Sequence, residues 1–325
     1  MGREGLTRQM SEPLPAACVY LSGPTASGKS AVGLELARLL GAEIVAMDSM
    51  TLYRGMDFGT AKPSADDRAA VPHHLLDVLG PHEEFSQAEY AAAARRTVDD
   101  IVSRGKVPIC VGGTPLYLKT LLHGMFEGPP PDWEFRRATA EQARRESRDW
   151  LHQQVAAVDP AAAAKLHPND DRRLTRALEV FRATGTPISE HQRHFDRPND
   201  AAQGRVFVLD WPRDELYRRI DTRVDVMVAA GLLEEVRGLA AAPQGLSRTA
   251  RKALGYREVL EWLEAGEPSP FEDVVTQIKT HTRQFAKRQL TWFRGLQECV
   301  WIAMQGEPDP RRIAQSIYGR LCRVS

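Results

Sequence analysis

An eight-residue run, Gly23-Pro24-Thr25-Ala26-Ser27-Gly28-Lys29-Ser30, lies between the apolar stretch Ala17-Cys18-Val19-Tyr20-Leu21 and a segment with helical apolar spacing. No other feature restricts the fold as strongly, because the order strand, tight glycine loop, helix start is the construction of a phosphate cradle. Glycines at this spacing let the loop curl so that backbone N–H groups point inward. Lys29 and the helix N-terminus add positive charge, and the Ser30 hydroxyl is placed to hold Mg²⁺. A di- or triphosphate is the expected guest. Kinases, ATPases and switches all use such a loop, so other residues must decide the chemistry.

The chain has 325 residues with 43 basic and 43 acidic side chains. Affinity for a polyanion must therefore come from local patches and not from overall charge. One patch stands out. Between Asp273 and Glu298 no acidic residue occurs, while Lys279, Arg283, Lys287, Arg288 and Arg294 do, with Phe285, Trp292 and Phe293 among them. Lys279, Arg283 and Lys287 are four apart and share a helix face. Such a run is either a solvated face over an aromatic core stripe or a nucleic-acid grip. The first fifteen or so residues are polar, and no apolar run approaches a membrane span, which predicts a cytoplasmic address. Cys18, Cys110, Cys299 and Cys322 are widely spaced with no C-x-x-C pair, so they read as buried small apolar groups and not as zinc ligands or disulfides.

Apolar runs recur at Ala17–Ser22, Glu43–Met47, Val107–Val111, Val206–Leu209 and Val300–Ala303, with helical periodicity between most of them. That alternation predicts an α/β fold with a parallel sheet covered on both faces. Between the third and fourth runs, from Pro129-Pro130-Pro131 through the arginine-rich Arg136–Arg148 to Arg197-Pro198-Asn199-Asp200, the sequence is helical and charged with no convincing strand. It reads as an inserted all-helical domain over 127–202, flanked by a core made of 1–126 and 203–325.

Ligands of doubly wound sheets sit beyond the carboxyl ends of strands. Those positions carry the phosphate loop, Asp48-Ser49, Gly112-Gly113-Thr114 and Asp210, which are expected to meet in one crevice. A carboxylate beside a polyphosphate needs a metal or a proton to handle, so Asp48 is a Mg²⁺ holder through water, a general base, or simply a helix N-cap. Thr114 follows two glycines that permit close backbone approach, and it can hydrogen-bond a phosphate oxygen or an acceptor group, or cap a helix. No N-K-x-D segment exists to read guanine, which sets a GTP switch aside.

These residues, with Asp48-Ser49-Met50, Tyr53-Arg54-Gly55-Met56-Asp57, Gly59-Thr60-Ala61-Lys62-Pro63, His73-His74-Leu75-Leu76-Asp77, Gly112-Gly113-Thr114-Pro115-Leu116-Tyr117, Arg176-Ala177-Leu178-Glu179-Val180, Arg223-Val224-Asp225 and Thr282-Arg283-Gln284-Phe285-Ala286-Lys287-Arg288-Gln289, closely resemble the tRNA dimethylallyltransferases, the IPP transferase family. The resemblance runs from about Val19 to Trp301. It implies a P-loop NTPase-like core and transfer of a dimethylallyl group from dimethylallyl diphosphate to N6 of adenosine 37 in tRNAs reading codons that begin with U. The phosphate loop would then hold a leaving group and not ATP.

By the same resemblance, Asp48 accepts the amine proton, Lys29, the loop amides and Arg223 stabilise pyrophosphate, Ser30 binds Mg²⁺, and Thr114 contacts the target nucleotide or bridges to the diphosphate. Without the family, Arg223 reads equally as the partner of Asp221 or Asp225. The implied tRNA contacts are Asp48, Ser49, Met50, Thr51, Thr114, Arg136 and the segment Arg172-Arg173-Leu174-Thr175-Arg176, with Arg283, Lys287 and Arg288 of the basic patch. The helical insert closes over the anticodon stem-loop, and the chain acts as a monomer. Thr51 and Arg172 stand where many members have glutamine, and Phe58 replaces a common isoleucine. The alternatives are an adenylate isopentenyltransferase acting on free AMP or ADP, an ATP-dependent small-molecule kinase, and a tRNA-binding module without group transfer.

Overall fold

The computed structural model describes residues 13–15, 17–60, 62–126, 128–193 and 198–324. Most of the polar start of the chain, with Ala61, Glu127 and Arg197, lies outside the described residues. Contacts divide the chain into two units, one containing His123–Pro198 and the other Pro13–Leu122 with Asn199–Ser325.

Elements of the larger unit up to the insert are β1 (Val19–Ser22), α1 (Lys29–Leu40), β2 (Glu43–Ala46), α2 (Ala65–Ala70), β3 (His73–His74), α3 (Gln87–Ser103), β4 (Pro108–Val111) and α4 (Pro115–His123). The insert holds α5 (Trp133–Arg145), α6 (Trp150–Val158), α7 (Pro160–Lys165), α8 (Asp171–Thr184) and α9 (Ile188–His191). The larger unit resumes with β5 (Val206–Asp210), α10 (Arg213–Ala229), α11 (Leu232–Ala241), α12 (Tyr256–Glu264), α13 (Phe271–Arg294), β6 (Cys299–Ala303) and α14 (Pro310–Val324).

Six strands form one sheet in the order β3-β2-β4-β1-β5-β6, every pair parallel. Its strands β1, β2 and β4 are buried at every position because helices cover both faces, and alternate residues serve opposite cores. Cys18, Tyr20, Val45, Cys110, Val206 and Val208 face one core. Val19, Leu21, Ile44, Ile109, Val111, Phe207 and Leu209 face the other. All five expected strands are present. The sixth, β3, is a two-residue edge strand of polar histidines. Its register against Ile44 and Val45 comes from backbone pairing and not from an apolar run.

Among the described residues of the smaller unit every regular element is a helix. Asp132, Asp159 and Asp170 cap α5, α7 and α8 by accepting the N–H groups of Phe135, Ala162 and Arg173. Leu151, Val155, Ala162, Ala163, Leu174 and Ala177 form its core. All four cysteines are free. Cys18 and Cys110 are buried as expected, but Cys299 is half-buried and Cys322 exposed, because β6 is an edge strand and Cys322 falls on the outer side of α14.

Candidate active site

The phosphate loop joins β1 to α1 at the centre of the sheet. Gly28, at φ 85°, is the N-cap of α1, and Ala26 also has positive φ, 61°. This backbone curls the loop so that Ala26–Ala31 line a cleft of about 790 Å³, closed on its far side by Glu215, Arg218, Arg219, Thr222 and Arg223 of α10 and by Gly306 and Glu307. The first amides of a helix have no partner within it, so the wall of the cleft is a bank of donors. Ser27 Oγ is fully buried and makes no hydrogen bond among the described residues. A buried hydroxyl without a partner in a phosphate loop marks a place for a ligand oxygen.

Loops after β2 and β4 meet beside this cleft. Gly112 permits the approach, since a Cβ there would lie 2.0 Å from the Met47 carbonyl oxygen. Ser22 Oγ donates to the Gly112 carbonyl at 2.8 Å, and the Thr114 N–H donates to the Met47 carbonyl at 3.3 Å. Thr114 Oγ1 accepts the Ser49 N–H at 3.1 Å, and Asp48 Oδ1 accepts the Met50 N–H at 2.9 Å. Asp48 therefore caps a turn and not a helix. The Thr114 hydroxyl, although it precedes α4, ties the β4 loop to the residue after Asp48.

These groups also act on one another electrostatically. Burial and the neighbouring Arg223 guanidinium push the Lys29 ammonium down to about 8, against the pull of the Asp48 carboxylate. Burial likewise lowers Arg223, again opposed by Asp48. Two cations set close together form a site suited to a further anion. The neighbouring aspartates do not supply it. Both carboxylate oxygens of Asp221 accept from Arg283 Nη1, at 2.8 and 2.9 Å, and Asp225 pairs with Lys279 at 2.6 Å. Arg223 is left to the cleft, where its Nη2 reaches the Thr60 carbonyl at 3.4 Å.

Met50 packs against the core, and Thr51 is buried with its hydroxyl 3.4 Å from the Asp48 carbonyl. Arg172 and Arg173 are exposed in the first turn of α8, whereas Arg136 and Arg176 both bind the buried Glu179 carboxylate. Lys287 and Arg288 are exposed on α13, so the basic face is half neutralised by α10 and half open. Asp210 does not line the cleft. It ends β5, and its carbonyl accepts the Met304 N–H at 2.8 Å, because β5 and β6 pair one residue further than the apolar run indicates. Sequence reasoning missed Gln289, Arg219 and Trp211 as loop supports, since a residue over a hundred positions away carries no local signal. Magnesium takes one or two protein ligands and completes its shell with substrate oxygens and water. The exposed Ser30 hydroxyl at the second position of α1 on the cleft wall fits that donor set.

A family model, IPP transferase, matches residues 51–296. The chain belongs to the IPP transferase family. A relative from this family, the tRNA dimethylallyltransferase of Geobacter metallireducens, is 48% identical over 303 residues, 92% of this chain and 96% of that one. The tRNA dimethylallyltransferase of Anaeromyxobacter dehalogenans is 47% identical over 291 residues, 90% and 96% of the two chains. Among solved structures, the tRNA isopentenylpyrophosphate transferase of Bacillus halodurans superposes with a TM-score of 0.67 at 35% identity, covering 94% of this chain and 97% of that one. A eukaryotic dimethylallyltransferase acting on tRNA superposes with a TM-score of 0.69 at 28% identity, covering 88% and 73%. IPP transferase membership makes the chain a prenyltransferase with a P-loop NTPase-like core, and it selects that reading over a kinase. Among the described residues no helix is long and apolar enough to cross a membrane.

Proposed function

We propose that this chain transfers the dimethylallyl group of dimethylallyl diphosphate to N6 of adenosine 37 in tRNAs reading codons that begin with U, releasing pyrophosphate. The observation that carries this reading is that Lys29 Nζ lies against Gly113, whose neighbour Thr114 binds the residue after Asp48, so a cation for a diphosphate stands close to a carboxylate for an amine proton. An allylic diphosphate ionises readily once charge on the departing group is neutralised. The C1–O bond breaks with its electron pair going to the pyrophosphate oxygen, where Lys29, Arg223, the Ser27 hydroxyl and the α1 amides stabilise it. The N6 lone pair forms the new C–N bond, and the N6 proton passes to an Asp48 carboxylate oxygen.

A carboxylate is a weak base. It suffices here because the amine becomes acidic only as the C–N bond forms, so placement matters more than basicity. The bond from Asp48 Oδ1 to the Met50 N–H fixes that placement. Thr114 orients the turn through Ser49 and offers its hydroxyl to the acceptor. Magnesium would be held by Ser30 with diphosphate oxygens and would add positive charge at the leaving group.

The target adenine must leave the anticodon-loop stack to reach this crevice. Exposed Arg172 and Arg173 on α8, with Lys287 and Arg288 on α13, supply phosphate contacts that offset the stacking lost. Arg136 and Arg176 support that surface through Glu179. The chain works as a monomer in the cytoplasm. The test is to incubate it with unmodified tRNA, free AMP or ADP, and either prenyl-labelled dimethylallyl diphosphate or γ-labelled ATP. Prenyl label on tRNA alone is expected. Label on free nucleotide, or phosphate transfer, would replace this reading with an adenylate isopentenyltransferase or a kinase.

A further inference from the structure

We propose that Gln289 is a positioning residue that latches the diphosphate-gripping loop to the acceptor-side loop and so sets the distance between the two reactants. Gln289 lies on α13 with 3% of its surface exposed. Its Oε1 accepts the Thr25 N–H at 2.9 Å, and its Nε2 donates to the Gly113 carbonyl. The two partners require opposite ends of the amide, so its orientation is fixed by chemistry. One side chain thus joins loops that lie 264 and 176 residues away from it in sequence.

The latch touches both halves of the site. A Cβ on Gly113 would lie 2.8 Å from Gln289 Nε2 and 3.1 Å from Lys29 Nζ, so the amide and the ammonium rest on the same face of that glycine. The next residue, Thr114, holds the Ser49 N–H beside Asp48. Displacing Gly113 would therefore move the acceptor turn relative to the cation that grips the leaving group. Thr25 lies in the same loop as Lys29, and with its N–H taken by Gln289 the loop is tied to α13. Both ends of the Gln289 amide are taken by backbone groups, and its effect on rate is through the separation it enforces, where displacements of about 1 Å are costly.

Chemistry also distinguishes glutamine from its acidic isostere. A carboxylate at this position could still accept from Thr25, but it would place negative charge against the Gly113 carbonyl oxygen and beside Lys29. Lys29 is otherwise faced by Arg223 from α10 and by Asp48 from the loop after β2.

This inference rests on the proposed transfer reaction, and its test separates the two. Inorganic pyrophosphate binding is measured by calorimetry, and single-turnover transfer is measured with saturating dimethylallyl diphosphate and tRNA, for the wild type, Gln289→Met and Gln289→Glu. In Gln289→Met, pyrophosphate should still bind at one per chain, more weakly, while the single-turnover rate falls about tenfold or more. In Gln289→Glu, which keeps an acceptor for the Thr25 N–H but has no donor for the Gly113 carbonyl, the single-turnover rate at saturating substrates should fall as in Gln289→Met although one pyrophosphate still binds per chain, a split that loss of folded enzyme would not produce. Rates and pyrophosphate affinity within about twofold of wild type in Gln289→Met overturn the latch. So does a rate loss that only tracks a lost fraction of pyrophosphate-binding sites. If the wild type transfers no prenyl group, the reaction reading fails, and the pyrophosphate affinities alone decide whether Gln289 holds the loop.

Discussion

The guanidinium carbon of Arg219 lies 4.2 Å from the centre of the Trp211 ring, and from there Arg219 Nε donates to the Ala26 carbonyl at 2.9 Å. The indole N–H of Trp211 donates to the adjacent Ser27 carbonyl at 3.0 Å. Two consecutive carbonyls of the phosphate loop are thereby engaged by side chains, and the loop is braced in the left-handed turn at Ala26. Without the brace those oxygens would be free to turn toward an incoming anion. Arg219→Ala is expected to weaken inorganic pyrophosphate binding about tenfold by calorimetry. It should lower stability by about 1–2 kcal/mol in thermal unfolding. Trp211→Phe keeps the ring but loses the indole donor, and a smaller effect is expected.

Lys29 grips the leaving group only while protonated. Burial and Arg223 bring it to about 8, so kcat/KM for dimethylallyl diphosphate, which reports the free enzyme, should fall as pH rises through about 8. Lys29→Arg keeps its charge across this range and is expected to be slower but to lose the alkaline limb. A limb of unchanged position in Lys29→Arg would assign it to another group.

In the helical insert, the Glu179 carboxylate is 3% exposed and receives Arg136 and Arg176 together with the Asp132 N–H. Burial alone would raise its pKa, but these bonds hold it at about 2, below the ordinary 4.5. A depressed acid stabilises the fold fully above 4.5, and that contribution disappears as pH falls from 4.5 toward 2. Glu179→Ala should cost about 3–5 kcal/mol, because it leaves two guanidinium groups uncompensated. Arg136→Ala and Arg176→Ala should lower both stability and tRNA affinity. Arg172→Ala, exposed and outside this cluster, should weaken tRNA binding with thermal unfolding unchanged. Equal effects of all three arginines on tRNA binding, with no change in stability, would contradict the structural role of Glu179.

Fold and site were legible in the sequence where local chemistry is sufficient. The phosphate loop needs only its own glycines, Lys29 and Ser30, and five strands announce themselves as apolar runs, four of them followed at once by glycine or aspartate. The strand β3 was not legible, because His73 and His74 pair at an edge through backbone groups that any residue carries. Arg223 was ambiguous for a similar reason. Its neighbours in sequence, Asp221 and Asp225, are claimed by Arg283 and Lys279, whose arrival depends on how α13 packs on α10. Gln289 and Arg219 act on the loop only after the sheet has closed, and no spacing rule reports such a meeting.

The central claim is that the Lys29 pocket holds a prenyl diphosphate with the purine amine beside Asp48. Its most direct test is a rapid-quench single turnover of labelled dimethylallyl diphosphate with unmodified tRNA, comparing wild type with Asp48→Ala and measuring tRNA affinity in parallel. The account predicts prenyl label on tRNA from the wild type, with a rate about a hundredfold or more lower in Asp48→Ala at unchanged tRNA affinity. An Asp48→Ala enzyme that transfers the label at the wild-type rate contradicts it.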